Sequence, residues 1–180
     1  ASEDHPCQPL SPYGISKLCA ENYITYFFTE YGLSTNILRY SNVFGPHQNP
    51  YGEAGVVAIF CERLVNNKKP IISGDGKQTR DFVSVNDIAQ ANLLALDPTC
   101  TGIFNLGTGI ETSINYLTKC LVEISNKNIT TEYGPVRSGE QRRSVIDHKK
   151  FHESFGWKPE INLEQGLVET YNFFQNEKFK

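Results

Sequence analysis

The sequence predicts an α/β fold, and three observations carry that reading. Short β-rich runs alternate with helical segments, as where "STNILRYSNVFG" precedes "VVAIFCERLVNNKK" and "RDFVSV" precedes "IAQANLLAL". The uninterrupted apolar runs are only a handful of residues long, which suits short buried strands and leaves nothing to span a bilayer. No internal repeat or low-complexity linker breaks the alternation, so the 180 residues read as one continuous piece of architecture.

Each element has its own signal. A first helix is expected over residues 13 to 31: Ser11 and Pro12 are entry residues, Ile15, Leu18, Cys19, Tyr23, Phe27 and Phe28 are its apolar positions, and Gly32 stops it. Residues 34 to 45 form a β-rich run closed by Gly45-Pro46, a helix starts at Val56, and "PIISG" from Pro70 is a short buried strand. "RDFVSV", 80 to 85, alternates like a strand, with Asn86-Asp87 expected to cap the next helix. "GIFNLGTG" is a strand running into a glycine turn, Asn115 to Asn126 a helix, and "ITTEYGPV" an extended stretch. The last two helices are expected from about Ile146 to Phe155 and from Leu163 to Phe174.

Composition bounds the function. Hydrophobic residues at 39% and aromatics at 12% supply a core, while a net charge of −3 gives no general attraction to nucleic acid. The chain opens on "ASEDHPCQPL" and contains no methionine, which fits either a removed initiator or a cut end; no basic, apolar leader is visible. Five widely spaced cysteines without a C-x-x-C read as reduced and mostly buried, as expected of a cytoplasmic protein.

"PLSPYGISKLCAENY" sets Tyr13 and Lys17 one helical turn apart, and of nine tyrosines only Tyr13 has a lysine four residues on. The pair is either an ordinary helix start or a proton-transfer couple in which the ammonium favours the phenolate. "GEAGVVA", 52 to 58, fits G-x-x-G-x-x-A but follows no apolar strand, so it reads as a loop before a helix; "GDGKQT" at 74 reads as a turn. His148 and His152, four apart with no acid between them, read as a solvated helix face and not as metal ligands.

Five motifs in order, "SPYGISK" at 11, "LRYSNVFGP" at 38, "PIISGDGKQTRDFVSVNDIA" at 70, "FNLGTG" at 104 and "FGWKP" at 155, give the chain a family likeness. It resembles the extended short-chain dehydrogenases/reductases, specifically the NAD-dependent nucleotide-sugar epimerases and dehydratases of the UDP-glucose 4-epimerase type. The resemblance implies the C-terminal part of a Rossmann-like doubly wound parallel sheet plus a smaller substrate-binding α/β subdomain. Residues 1–45 and 80–110 would belong to the sheet region, and 46–79 and 111–180 mainly to the subdomain. Such proteins begin with a strand, a G-x-x-G-x-x-G turn and a helix that hold the dinucleotide pyrophosphate. Nothing of that kind precedes Tyr13, so the likeness covers roughly the C-terminal half to three-fifths of the family. This chain alone is expected to show no measurable NAD affinity and to expose apolar surface at the missing edge.

The resemblance also implies roles. Tyr13 would accept the proton of the sugar 4-hydroxyl during C4 epimerisation, with Lys17 assisting and Tyr40 beside the nicotinamide. Asn42 would reach a phosphate oxygen, Arg80 would clamp the diphosphate by its fixed fork of donors, and Ile72, between Ile71 and Ser73, would line the uracil pocket. Arg137 and Glu140 of "VRSGEQRRS" match an R-x-G-D stretch that contacts diphosphate and ribose, with Glu where Asp is usual. Ser144 would line the sugar pocket and, being small, admit N-acetylated UDP-hexoses. A homodimer through the Tyr-x-x-x-Lys helix is implied as well. The alternatives are a dehydratase of the same family, or a truncated, non-catalytic module that binds UDP-sugar or dimerises.

Overall fold

The computed structural model describes residues 1–51, 55–137, 139 and 141–176. Its first element, α1 (Pro12–Tyr31), starts where Ser11, in extended conformation, accepts a hydrogen bond from the Gly14 amide at 3.1 Å with Pro12 in the first turn. It ends where Gly32, at φ 64°, donates its amide to the Phe28 carbonyl. Apolar residues lie all round this helix, yet none of its residues is buried, and Tyr13, Ile15, Tyr23, Tyr26, Phe27, Phe28 and Tyr31 stand exposed. Only Gly14, Leu18, Glu21 and Ile24, spaced three or four apart, are partly covered. On that side Glu21 accepts a two-pronged ion pair from Arg39, at 2.8 and 2.6 Å.

Arg39 lies on β1 (Asn36–Tyr40), which leads through Ser41 into β2 (Asn42–Phe44) and then α2 (Val56–Val65). The chain continues through β3 (Ile71–Ser73), β4 (Thr79–Arg80), β5 (Phe82–Ser84) and α3 (Val85–Leu94). It then forms β6 (Gly102–Leu106), β7 (Thr112–Ser113), α4 (Ile114–Ser125), β8 (Glu132–Gly134), α5 (Lys149–Phe155) and α6 (Leu163–Asn176). The strands pair two by two: β1 with β6, β2 with β5 and β3 with β8 in parallel, and β4 with β7 antiparallel.

Two apolar cores sit behind these pairs. Phe44, Ile72 and Phe82 meet α2 through Leu64, α4 through Leu117 and Leu121, and α6 through Leu167, Tyr171 and Phe174. Gly166 permits the approach of α6, since a Cβ there would stand 2.7 Å from the Phe44 ring. In the second core Val83, Ile88, Ala91, Phe104 and Leu106 close on Phe151 and Trp157. Phe151 and Trp157 come from the stretch assigned by sequence to the substrate-binding part, yet they pack with β6.

Four local expectations are corrected. The strand "RDFVSV" is split at Asp81 into β4 and β5, because the two halves pair with different partners. The cap of α3 is Ser84, whose hydroxyl accepts from the Asn86 amide at 3.2 Å. Asp87 lies inside the helix, buried, and accepts the Glu160 and Ile161 amides, each at 3.2 Å. Burial raises its pKa above the usual carboxylate value, against the pull of those two amides. The helix expected from Ile146 begins at Lys149, since Val145, Ile146 and Asp147 are tied to other segments. Only Cys61 and Cys120 are buried; Cys7 and Cys19 are exposed, and all five thiols are unpaired. Burial pushes the Cys61 thiol up to about 12. No described helix is long and apolar enough to cross a membrane.

Candidate functional site

Four residues named by the sequence meet in one cleft. Asn42 at the start of β2, Ile72 on β3, Arg80 at the end of β4 and Arg137 line a hollow of about 200 Å³, together with Val56, Ile59, Phe60 and Gln78. The backbone explains the convergence. β2 lies parallel to β5, so the Asn42 amide donates to the Asp81 carbonyl at 2.8 Å and Asn42 sits beside the residue that follows Arg80. Along β3 side chains alternate: Ile72 points into the core at 1% exposure, Ile71 and Ser73 face the other way, and all three border the hollow. Gln78, itself buried, donates to the Ser73 carbonyl at 2.9 Å and fixes the floor.

Arg80 is held in place before any ligand arrives. One of its terminal nitrogens donates to the Thr79 and Gln141 carbonyls, both at 2.8 Å. The cleft therefore has an apolar floor and two guanidinium groups on its wall, a combination suited to a planar ring joined to an anionic group. It is smaller than the roughly 300–1,000 Å³ typical of whole-ligand pockets, so it takes part of a ligand.

Behind the cleft lies a residue that the sequence reading passed over. Asp81 is fully buried, and its carboxylate accepts from the Thr108 amide at 2.9 Å, the Thr108 hydroxyl at 2.7 Å, the Gly109 amide at 3.1 Å and the Ile146 amide at 3.4 Å. It thus ties the turn after β6 and the 146 region to the strand carrying Arg80. Gly107 is required for this closeness: a Cβ there would meet the carboxylate at 2.5 Å. The available signal was an acid flanked by Arg80 and Phe82 in an alternating strand, where one face must be buried.

The segment 141–147 lies outside the cleft, beside β4. Its Arg142 carbonyl accepts from the Thr79 amide at 2.9 Å, and the Ser144 amide donates to the Thr79 carbonyl at 3.2 Å, so Arg143 forms a single parallel bridge with Thr79 of β4. Arg142 forks onto Asp75 at 2.8 and 2.9 Å, and Arg143 forks onto Glu111, which also accepts from the Thr79 hydroxyl. Arg143 holds the Glu111 carboxyl down at about 2, and Arg142 holds Asp75 well below the usual carboxylate range.

The other described sequence candidates do not line this cleft. Tyr13 is 62% exposed on α1, and the Lys17 ammonium stands 5.2 Å from the centre of its ring, a cation–π contact. The Tyr40 hydroxyl donates to Asn92 on α3 at 2.9 Å. Ser144 is half-buried beside β4 and does not line the cleft, and Glu140 lies outside the described residues. His152 and His148 both turn to Trp157, the first through a 2.9 Å contact with its carbonyl and the second edge to face.

The resemblance assigns Tyr13 and Lys17 to the ribose and nicotinamide end of NAD, and both stand open to solvent. The pyrophosphate end finds no matching strand–glycine turn–helix among the described residues, since Gly107-Thr108-Gly109 leads from β6 to β7. "GEAGVVA" lies partly outside the described residues.

Comparison with known proteins gives the family of the chain. The model of the NAD dependent epimerase/dehydratase family matches residues 1–107. The chain belongs to that family. The epimerase/dehydratase likeness continues beyond residue 107 in individual relatives. A Methanocaldococcus jannaschii protein is 48% identical over 97% of this chain and 56% of its own length. The UDP-glucose 4-epimerase of Mycolicibacterium smegmatis is 40% identical, again over 97% of this chain and 56% of its own length. The structure of a Thermotoga maritima UDP-glucose 4-epimerase with UDP-glucose superposes with a TM-score of 0.93 at 45% identity, covering 98% of this chain and 57% of that one. The fold is therefore the Rossmann-like α/β fold of these epimerases, and the chain spans just over half the length of the relatives it matches.

Proposed function

We propose that this chain is the nucleotide-sugar-binding part of a cytoplasmic, NAD-dependent enzyme that inverts C4 of a UDP-sugar. The observation that carries the reading is the cleft itself. Asn42, Ile72, Arg80 and Arg137 come from four separate stretches of sequence and line one hollow with an apolar floor and two arginines. In this reading the uracil rests against β3 and the diphosphate meets Arg80 and Arg137. Tyr13 takes the proton from the sugar 4-hydroxyl and returns it, and the Lys17 charge favours the phenolate. NAD, when bound, supplies the hydride acceptor at C4.

Calorimetry on this chain tests the binding half. UDP is expected to bind saturably, and Arg80→Ala to weaken it by about 10- to 100-fold, the worth of hydrogen bonds to a charged group. Uridine, which has no phosphate, should bind wild type and variant alike. Absence of UDP binding, or equal UDP affinity in Arg80→Ala, sinks the reading.

The same reading includes a homodimer through α1. Tyr26, Phe27 and Tyr31 form an exposed aromatic cluster with ring centres 5.4 to 6.2 Å apart, and nothing described covers it. Sedimentation equilibrium at high micromolar concentration should show a dimer that Phe27→Glu converts to monomer. A wild-type monomer under those conditions contradicts it.

A further inference from the structure

The 141–147 segment touches the cleft at one point, and it is pinned by the residues that follow that point. The Gln141 carbonyl accepts from Arg80, which lines the cleft. The next two residues, arginines in an extended stretch, throw their side chains in opposite directions. Arg142 reaches the turn between β3 and β4 at Asp75, and Arg143 reaches Glu111 just before β7. A single exposed ion pair contributes little, but both of these are two-pronged, and the backbone bonds of Thr79 lie between them. The segment is fastened further along by the Ile146 amide on Asp81 and by Ala1, which bonds to Val145 and Asp147.

We propose that Arg142 and Arg143 are positioning residues for the cleft: they touch no nucleotide, and their two carboxylate clamps hold the Gln141 carbonyl where it orients the Arg80 guanidinium. Without the clamps the bridged segment leaves Thr79 of β4, the Gln141 carbonyl moves, and Arg80 loses a contact that aims it. The inference rests in part on the nucleotide reading above, and its physical core concerns the segment alone. Neither arginine lines the hollow that holds Arg80 and Arg137, so direct ligand contact is not needed to explain an effect.

The test pairs two measurements on this chain. Hydrogen exchange is read at the Thr79 and Ser144 amides, which bond across the bridge. UDP affinity is read by calorimetry. Asp75→Arg and Arg142→Asp are each expected to speed exchange at both amides and weaken UDP about fivefold or more. The combined charge swap, Asp75→Arg with Arg142→Asp, should restore both readouts, which a general loss of packing would not do. Arg143→Met should repeat the single-variant result from the other clamp. Unchanged exchange in the single variants, or a swap that restores nothing, overturns the proposal. If wild type does not bind UDP at all, the nucleotide reading fails while exchange still decides whether the clamps hold the segment.

Discussion

Asp81→Ala should lower the stability of the chain by about 3–5 kcal/mol, because it strands several buried donors at once. The carboxylate accepts from three backbone amides and a hydroxyl, and none of its own surface is exposed. Its removal leaves the Thr108, Gly109 and Ile146 amides facing a cavity instead of an anion. Thr108→Val is the control: it keeps the carboxylate and deletes one of its donors, together with the acceptor of the Ile110 amide, so about 1–2 kcal/mol is expected. Urea unfolding of the three proteins gives the comparison. An Asp81→Ala variant within 1 kcal/mol of wild type, a bound set here by the roughly ±0.5 kcal/mol range of ordinary surface substitutions, would show that the four bonds do not hold the fold.

Phe104→Ala is the second large effect, at about 3–5 kcal/mol for a fully buried aromatic in a packed core. Phe104 is 1% exposed at the middle of β6, edge to face with Phe151 at 5.4 Å and with Phe155 at 5.3 Å. The single tryptophan, Trp157, is buried in the same core 5.6 Å from Phe151, so its fluorescence follows this core directly. The variant should shift the tryptophan emission to the red and lower the unfolding midpoint. A normal emission spectrum with an unchanged midpoint would show that the β6 core tolerates the cavity.

The elements most legible from sequence were those with a repeating signal and clear punctuation. Ser11, Pro12 and Gly32 bracket α1, and α4 falls where a helix from Asn115 to Asn126 is expected. Asn42, Ile72, Arg80 and Arg137 were chosen through motif likeness, and the fold brings them to one hollow. Asp81 was missed because "RDF" alone does not say which of two adjacent charged residues is buried; that depends on the Thr108 and Gly109 amides, supplied by a distant turn. Asp87 was misjudged for the same reason, since its partners, the Glu160 and Ile161 amides, lie on a loop far along the chain. The clamps at Asp75 and Glu111 were invisible because exposed arginines and acids are ordinary in sequence, and only the fold brings these together.

No described strand pairs with the strand next to it in sequence. Asn36 faces Gly102, Ile71 faces Glu132, and even the antiparallel pair joins Thr79 to Ser113. The described strands offer no hairpin to start the fold, so closing long loops must come before any of their bonds form, and folding should be slow for the chain's size. Synthesis sharpens the point. At about 5–20 residues per second a ribosome takes several seconds between finishing β1 and finishing β6. Through that interval β1 has emerged without its described partner, and it must be kept from pairing with another chain.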